Sequence, residues 1–122
     1  GATKLAKTGH LFGEIVYQKD PENGAASERG FLIYLKTSLT PGLSRELLNY
    51  KSNNPCFPDV TTADQFFDEA QVTAYAELGY ELSTAMVDDL ENKLKSGDPE
   101  IIEFKPVLES FLSQMKRERP GY

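Results

Sequence analysis

The sequence predicts an α+β fold: an N-terminal β-hairpin over about residues 10–17 and 30–39, then a mostly helical region over about 44–50, 62–95 and 98–116. Three observations carry this. Two strongly apolar stretches are separated by a segment dense in turn formers, the pattern of a hairpin with a long connection. Apolar residues then recur at steps of three and four from Ala63 to Leu94, the period of a helix face. Gly97, Pro99 and Pro106 punctuate the C-terminal stretch at positions where helices end and begin.

In the first arm Phe12, Glu14 and Val16 alternate with Leu11, Ile15 and Tyr17, and Gly13 marks a bulge or a close backbone approach. Residues 18–30 hold Pro21 and Asn23-Gly24 and read as a long, exposed, mobile loop. The second arm opens on the unbroken run Phe31, Leu32, Ile33, Tyr34, Leu35, too apolar for a strand with one wet face. A two-stranded hairpin is marginal in water on its own. Cover for this run therefore has three sources: a second copy of the chain, strands of a larger parent protein, or the local helices on one face with the loop on the other.

Past Pro41-Gly42, Ser44 is placed to cap a short helix through Leu47, Leu48 and Tyr50, which Asn53, Asn54 and Pro55 end. Residues 56–60 read as a rigid extended connector. Thr62 and Gln65 have capping-box spacing, so a helix is expected from about residue 62. Its inward face is Ala63, Phe67, Ala70, Ala74, Leu78, Leu82, Met86, Leu90 and Leu94, with Phe66 and Tyr75 flanking and a bend or break expected at Gly79. Asp89 with Lys93 and Glu91 with Lys95 have the spacing of helix ion pairs. Asp98 as cap and Pro99 at the first helical position restart a helix, Pro106 interrupts it, and Val107, Leu108, Phe111, Leu112 and Met115 face inward beyond it. Residues 117–122 are expected to fray.

At 122 residues the chain is one domain or a fragment of one. Its 13 Lys and Arg against 19 Asp and Glu give a net charge of −6, which disfavours nucleic acid as a partner because such binders cluster cations against phosphate. The longest apolar run is 31–35, far short of a membrane span, so any membrane association would come through a parent protein. One cysteine, Cys56, leaves the compartment open, and with His10 as the sole histidine no zinc finger or multi-His metal site can form.

The candidate chemistry is sparse. No G-x-S-x-G nucleophile elbow is present, and Ser44 is better used as a helix cap. Asp64, Asp68 and Glu69 have oxygens that suit a divalent cation, yet acidic groups in a first helical turn also complement its dipole, and that reading is preferred. Cys56 reads as a half-buried structural thiol. Phe57, Phe66, Phe67 and Tyr75 fit a core better than a lipid groove. Phosphate-cradling glycine motifs are absent, and no cofactor or metal ligand set is expected.

Two stretches nevertheless carry a resemblance. Tyr34, Lys36, Ser38 and Leu39 match a "Y-x-K-x-S-L" strand, and Phe57, Pro58, Thr61 to Glu69, Gln71, Tyr75, Leu78 and Gly79 match "F-P-x-x-T-T-A-D-Q-F-F-D-E-x-Q" and "Y-x-x-L-G" blocks. Residues 9–79 thereby resemble the C-terminal, non-catalytic part of large bacterial patatin-like phospholipase family proteins. Thr37, Val72 and Ala76 depart from the pattern, where Pro, an aromatic and Arg are expected, and residues 80–122 add nothing to the resemblance. Patatin-like enzymes hydrolyse lipid acyl esters with a Ser-Asp dyad whose G-x-S-x-G, D-G-[GA] and glycine-rich motifs are all missing here, so no catalytic residue is carried over. The resemblance implies an accessory region that packs on or docks the catalytic domain, with Thr62 capping, Phe66 and Phe67 anchoring, and Asp64, Gln65 and Gln71 satisfying polar partners. With Gly1 in place of an initiator Met and the doubly apolar strand, the chain is expected to be a piece of a longer protein whose remainder, or a second copy, is its partner. The alternative is a free-standing protein-interaction or lipid-binding module.

Overall fold

The computed structural model describes residues 5–17, 28–60 and 68–118. It has the expected α+β order: strands β1 (His10–Val16) and β2 (Arg29–Leu35), then helices α1 (Arg45–Asn53), α2 (Glu69–Ser96) and α3 (Lys105–Arg117), with a 3-10 turn at Ile102–Phe104 before the last. Two compact units divide the chain, Gly1–Ser83 and Thr84–Tyr122, and α2 contributes to both.

In the first unit, β1 and β2 pair antiparallel from His10 opposite Leu35 to Val16 opposite Arg29. Regular β2 is shorter than the expected 30–39 arm. The same register nevertheless persists outside it, since Lys36 N donates to Gly9 O (2.8 Å) and Ala6 N to Leu39 O (2.8 Å). One face carries His10, Phe12 and Phe31, with ring centroids 5.2 Å apart for the first pair and 5.8 Å for the second, together with the Arg29–Glu14 ion pair. The other face carries Leu11 opposite Tyr34 and Gly13 opposite Leu32. Tyr17 lies across Gly30, where an added Cβ would come within 3.3 Å of its ring. At the base of the hairpin Gly9 is buried against α2, since a Cβ there would sit 2.9 Å from Leu82 Cδ2 and 3.1 Å from Lys36 O.

The chain's own helices and loop do not cover residues 31–35 on both faces: Leu32, Tyr34 and Leu35 are 42, 53 and 40 % exposed. The core of this unit lies lower, where Leu39, Leu47, Phe57, Ala74, Leu78 and Leu82 are buried together with Leu43, Tyr50 and Tyr75 packed around them. Pro41 and Gly42 turn the chain, Gly42 at φ 87°, and Ser44 caps α1 with Oγ accepting from Leu47 N (3.4 Å).

Residues 56–60 do not form an extended connector. Phe57 N donates to Asn54 O (3.0 Å) and Asp59 N to Cys56 O (2.7 Å), making successive turns around a cis Phe57–Pro58 peptide. Phe57 lies in the core, and Cys56, expected half-buried, is exposed. The helix expected from about residue 62 enters the described residues only at Asp68, and its expected start lies outside them. Asp68 is non-helical, its carboxylate accepts from Gln71 N (2.7 Å), and α2 begins at Glu69. The Thr62–Gln65 capping box and the inward Ala63, Phe66 and Phe67 lie outside the described residues, as do the loop positions 18–27 and the tail 119–122.

Helix α2 runs 28 residues, about 42 Å at 1.5 Å per residue, without a break at Gly79. Burial of Ala74, Leu78 and Leu82 around that turn outweighs the roughly 1 kcal/mol a mid-helix glycine costs. Ala70, expected inward, is exposed because it precedes the point where core lies against the helix. Gly97 ends α2 as expected, at φ 71°, with Gly97 N on Leu94 O (3.3 Å) and Asp98 N on Lys93 O (3.1 Å), the two bonds of a Schellman cap.

In the second unit Met86, Val87, Leu90 and Leu94 of α2, Ile101, and Leu108 and Leu112 of α3 are buried. The helix expected to restart at Asp98 is a turn and the 3-10 turn instead, and α3 opens at the interruption expected at Pro106, which cannot donate within a helix and fits only its first turn. Asp98 still caps locally, accepting from Glu100 N (3.0 Å). Val107, expected inward, is 67 % exposed. Glu91 meets Lys116 of α3, and Lys93 Nζ lies 3.9 Å from Asp98 Oδ2.

Candidate functional site

Several of the residues singled out in sequence gather at three places in the first unit. The first is a joint built on Phe57, which is fully buried and meets Tyr50 and Tyr75 edge-on, with both ring centroids 5.0 Å away. The Tyr75 hydroxyl donates to Pro58 O (2.6 Å) and accepts from Val60 N (3.4 Å), tying α2 to the turn that delivers Phe57. Gln71, one helical turn before Tyr75, is buried at 8 % and shares a pocket wall with Tyr50, Phe57 and Val60. Phe57, Pro58, Gln71 and Tyr75 are thus brought together, while Thr62, Asp64, Gln65, Phe66 and Phe67 lie outside the described residues. Partial burial pushes the Tyr50 phenol above its usual range, and the Asp68 carboxylate and Tyr75 add to that shift.

The second place is acidic. Glu81 of α2 receives both Ser44 N (2.7 Å) and Ser44 Oγ (2.9 Å), so one carboxylate anchors the start of α1 on α2. One turn earlier, Glu77 is held above the usual carboxylate range, first by desolvation, then by its hydrogen bond to Glu81 and the charges of Glu81 and Glu46. Glu46, Asp68, Glu69 and Glu77 border a groove of about 860 Å³ between the two helices. Among the described residues no group of three or more His, Cys, Asp or Glu is disposed to hold a metal ion.

The third place is a cleft of about 820 Å³ between residues 36–39, α1 and the turn at 55–59. Lys36, Ser38, Leu39 and Pro58, which carry the two blocks of the resemblance, all line it. Lys51 closes one side and donates to the carbonyls of Pro55 and Phe57, the latter at 2.7 Å. Lys51, Tyr50 and Glu81 take roles that sequence reasoning missed. A lysine in a last helical turn before a Pro-rich stretch is a recognisable signal for carbonyl capture, whereas Glu81 depends on a partner 37 residues away. Tyr34 belongs to none of these places and stands exposed on the hairpin.

No protein-family model matches the chain, and no curated protein and no solved structure is significantly similar to it. Among the described residues no helix is long and apolar enough to cross a membrane.

Proposed function

We propose that the chain is the non-catalytic C-terminal accessory region of a bacterial patatin-like lipid acyl hydrolase, and that its hairpin adds to a β-sheet supplied by the catalytic part of that protein. The observation that supports this is the hairpin itself. It is a two-stranded sheet with no third strand among the described residues, and Leu11, Leu32, Tyr34 and Leu35 stand in water at 61, 42, 53 and 40 % exposure. Strands with unmatched edges and bare apolar side chains are places for strand addition, because the ladder directs a partner strand and the side chains reward its arrival. The Phe57 joint then serves as a rigid mount, fixing the tail of β2 against α1 and α2. The chain holds no G-x-S-x-G and no D-G-[GA], so the hydrolytic residues belong to the parent.

The test adds this chain in trans to a parent lacking it, and measures esterase activity and complex formation, with Leu32→Lys and Tyr34→Lys in parallel. Restored activity or a stable complex that both substitutions abolish supports the reading. A parent equally stable and active without the region overturns it. Sedimentation of the chain alone separates the rival, a self-associating interaction module, which gives a dimer that the same two substitutions dissolve.

A further inference from the structure

We propose that the cleft between residues 36–39, α1 and the 55–59 turn binds an anionic amphiphile, a carboxylate or phosphate monoester on an alkyl chain. Its volume of about 820 Å³ falls within the range of small-ligand sites. Its polar side is cationic in a chain of net charge −6, with Lys36 and Lys51 against the single carboxylate of Asp59. The Lys36 ammonium has no partner among the described residues, and neither do the hydroxyls of Thr37 and Ser38 beside it. Lys51 has three N–H donors and gives two to the carbonyls of Pro55 and Phe57, which leaves one for an incoming oxygen. Ammonium and hydroxyl donors together suit an oxyanion, since charge-assisted hydrogen bonds are about twice as strong as neutral ones.

The other wall is apolar. Leu39, Pro55 and Pro58 form part of the lining, and Leu5 and Leu48 remain 47 and 46 % exposed at its rim. A free inorganic anion leaves those side chains in water, and a neutral hydrocarbon leaves the two ammonium groups unmatched. A ligand with both parts satisfies both walls. This inference stands apart from the strand-addition reading, which concerns the hairpin face carrying Leu32 and Tyr34.

The test is calorimetric titration of the whole chain with dodecyl phosphate and with dodecanoate below their micellar concentrations, beside inorganic phosphate and dodecyl maltoside. Saturable one-to-one binding of the two anionic amphiphiles is expected, with phosphate and the neutral detergent at least about tenfold weaker. Lys36→Ala should weaken dodecyl phosphate by about tenfold while Lys36→Arg retains it, and Leu48→Ser should weaken it roughly fivefold or more. Lys36 and Leu48 are exposed, so circular dichroism should show both variants folded. Phosphate binding as tightly as dodecyl phosphate, affinities unmoved by Lys36→Ala and Leu48→Ser, or no saturable binding would each overturn the proposal.

Discussion

Replacing Phe57 by alanine tests the packing of the first unit at its centre. The side chain is fully buried and makes two edge-to-face contacts at 5.0 Å, with Tyr50 and Tyr75, so its removal leaves a cavity between α1 and α2. Truncating such a residue costs about 3–5 kcal/mol, a range that already contains the aromatic contacts of about 0.5–1.5 kcal/mol each. At roughly 0.05–0.15 kcal/mol per residue, a unit of the size of Gly1–Ser83 holds about 4–12 kcal/mol, so the loss is about a quarter of its stability or more. In urea, with a slope of about 2 kcal/mol/M, the far-UV midpoint should fall by about 2 M. Phe57→Leu, which keeps most of the volume, should cost only about 1–1.5 kcal/mol. Tyr75→Phe should cost about 1–2 kcal/mol, because Pro58 O loses its donor and Val60 N its acceptor. A Phe57→Ala midpoint lowered by less than about 0.5 M at unchanged slope would refute the placement of Phe57 as the keystone.

The two glycines of α2 and its end should respond in opposite directions: Gly79→Ala meets nothing within 4 Å and should stabilise by about 0.5–1 kcal/mol, whereas Gly97→Ala, at φ 71°, should destabilise by about 1–2 kcal/mol in the same urea series. Gly9→Ala should lower stability by about 1–3 kcal/mol, since its Cβ would press on Leu82 and on the Lys36 carbonyl; a neutral result would place the hairpin base away from α2. Glu77→Gln should raise the melting temperature at pH 7. The folded state holds the Glu77 proton more tightly than the unfolded chain, so the native protein loses stability as pH rises from about the unfolded value of 4.5 through the raised folded one. The gain should be about 0.2–0.5 kcal/mol, typical of relieving a like-charge helix pair, and should vanish near pH 4; an equal gain at both pH values contradicts the electrostatic origin.

Local pattern made several features legible. Ser44, Gly97 and the stripe from Ala74 to Leu94 depend on residues a few positions apart, which is the range over which helix period and capping operate. A break at Gly79 and an extended Cys56–Val60 segment, both suggested locally, are absent for a tertiary reason. Gly79 weakens a helix in isolation, yet a helix with core packed on Leu78 and Leu82 keeps its hydrogen bonds. The Cys56–Val60 segment has the composition of an extended linker, but Lys51 draws in the Pro55 and Phe57 carbonyls and the core takes the Phe57 ring, so the chain turns. The candidate sites were less legible still. Glu81 meets Ser44 across 37 residues, and Lys36 shares a cleft with Lys51 and Pro58 through contacts no periodicity records.

The sequence by itself determined the α+β order, the hairpin and most helix ends, because apolar period, proline and glycine act on the nearest turn of chain. Only the tertiary structure decided what those elements expose. The run Phe31 to Leu35 is apolar enough for a strand buried on both faces, but the core gathers around Phe57, Leu78 and Leu82 at the foot of the hairpin. Leu32, Tyr34 and Leu35 stay in water because burial depends on which surfaces the chain brings together, and the described residues bring none to them.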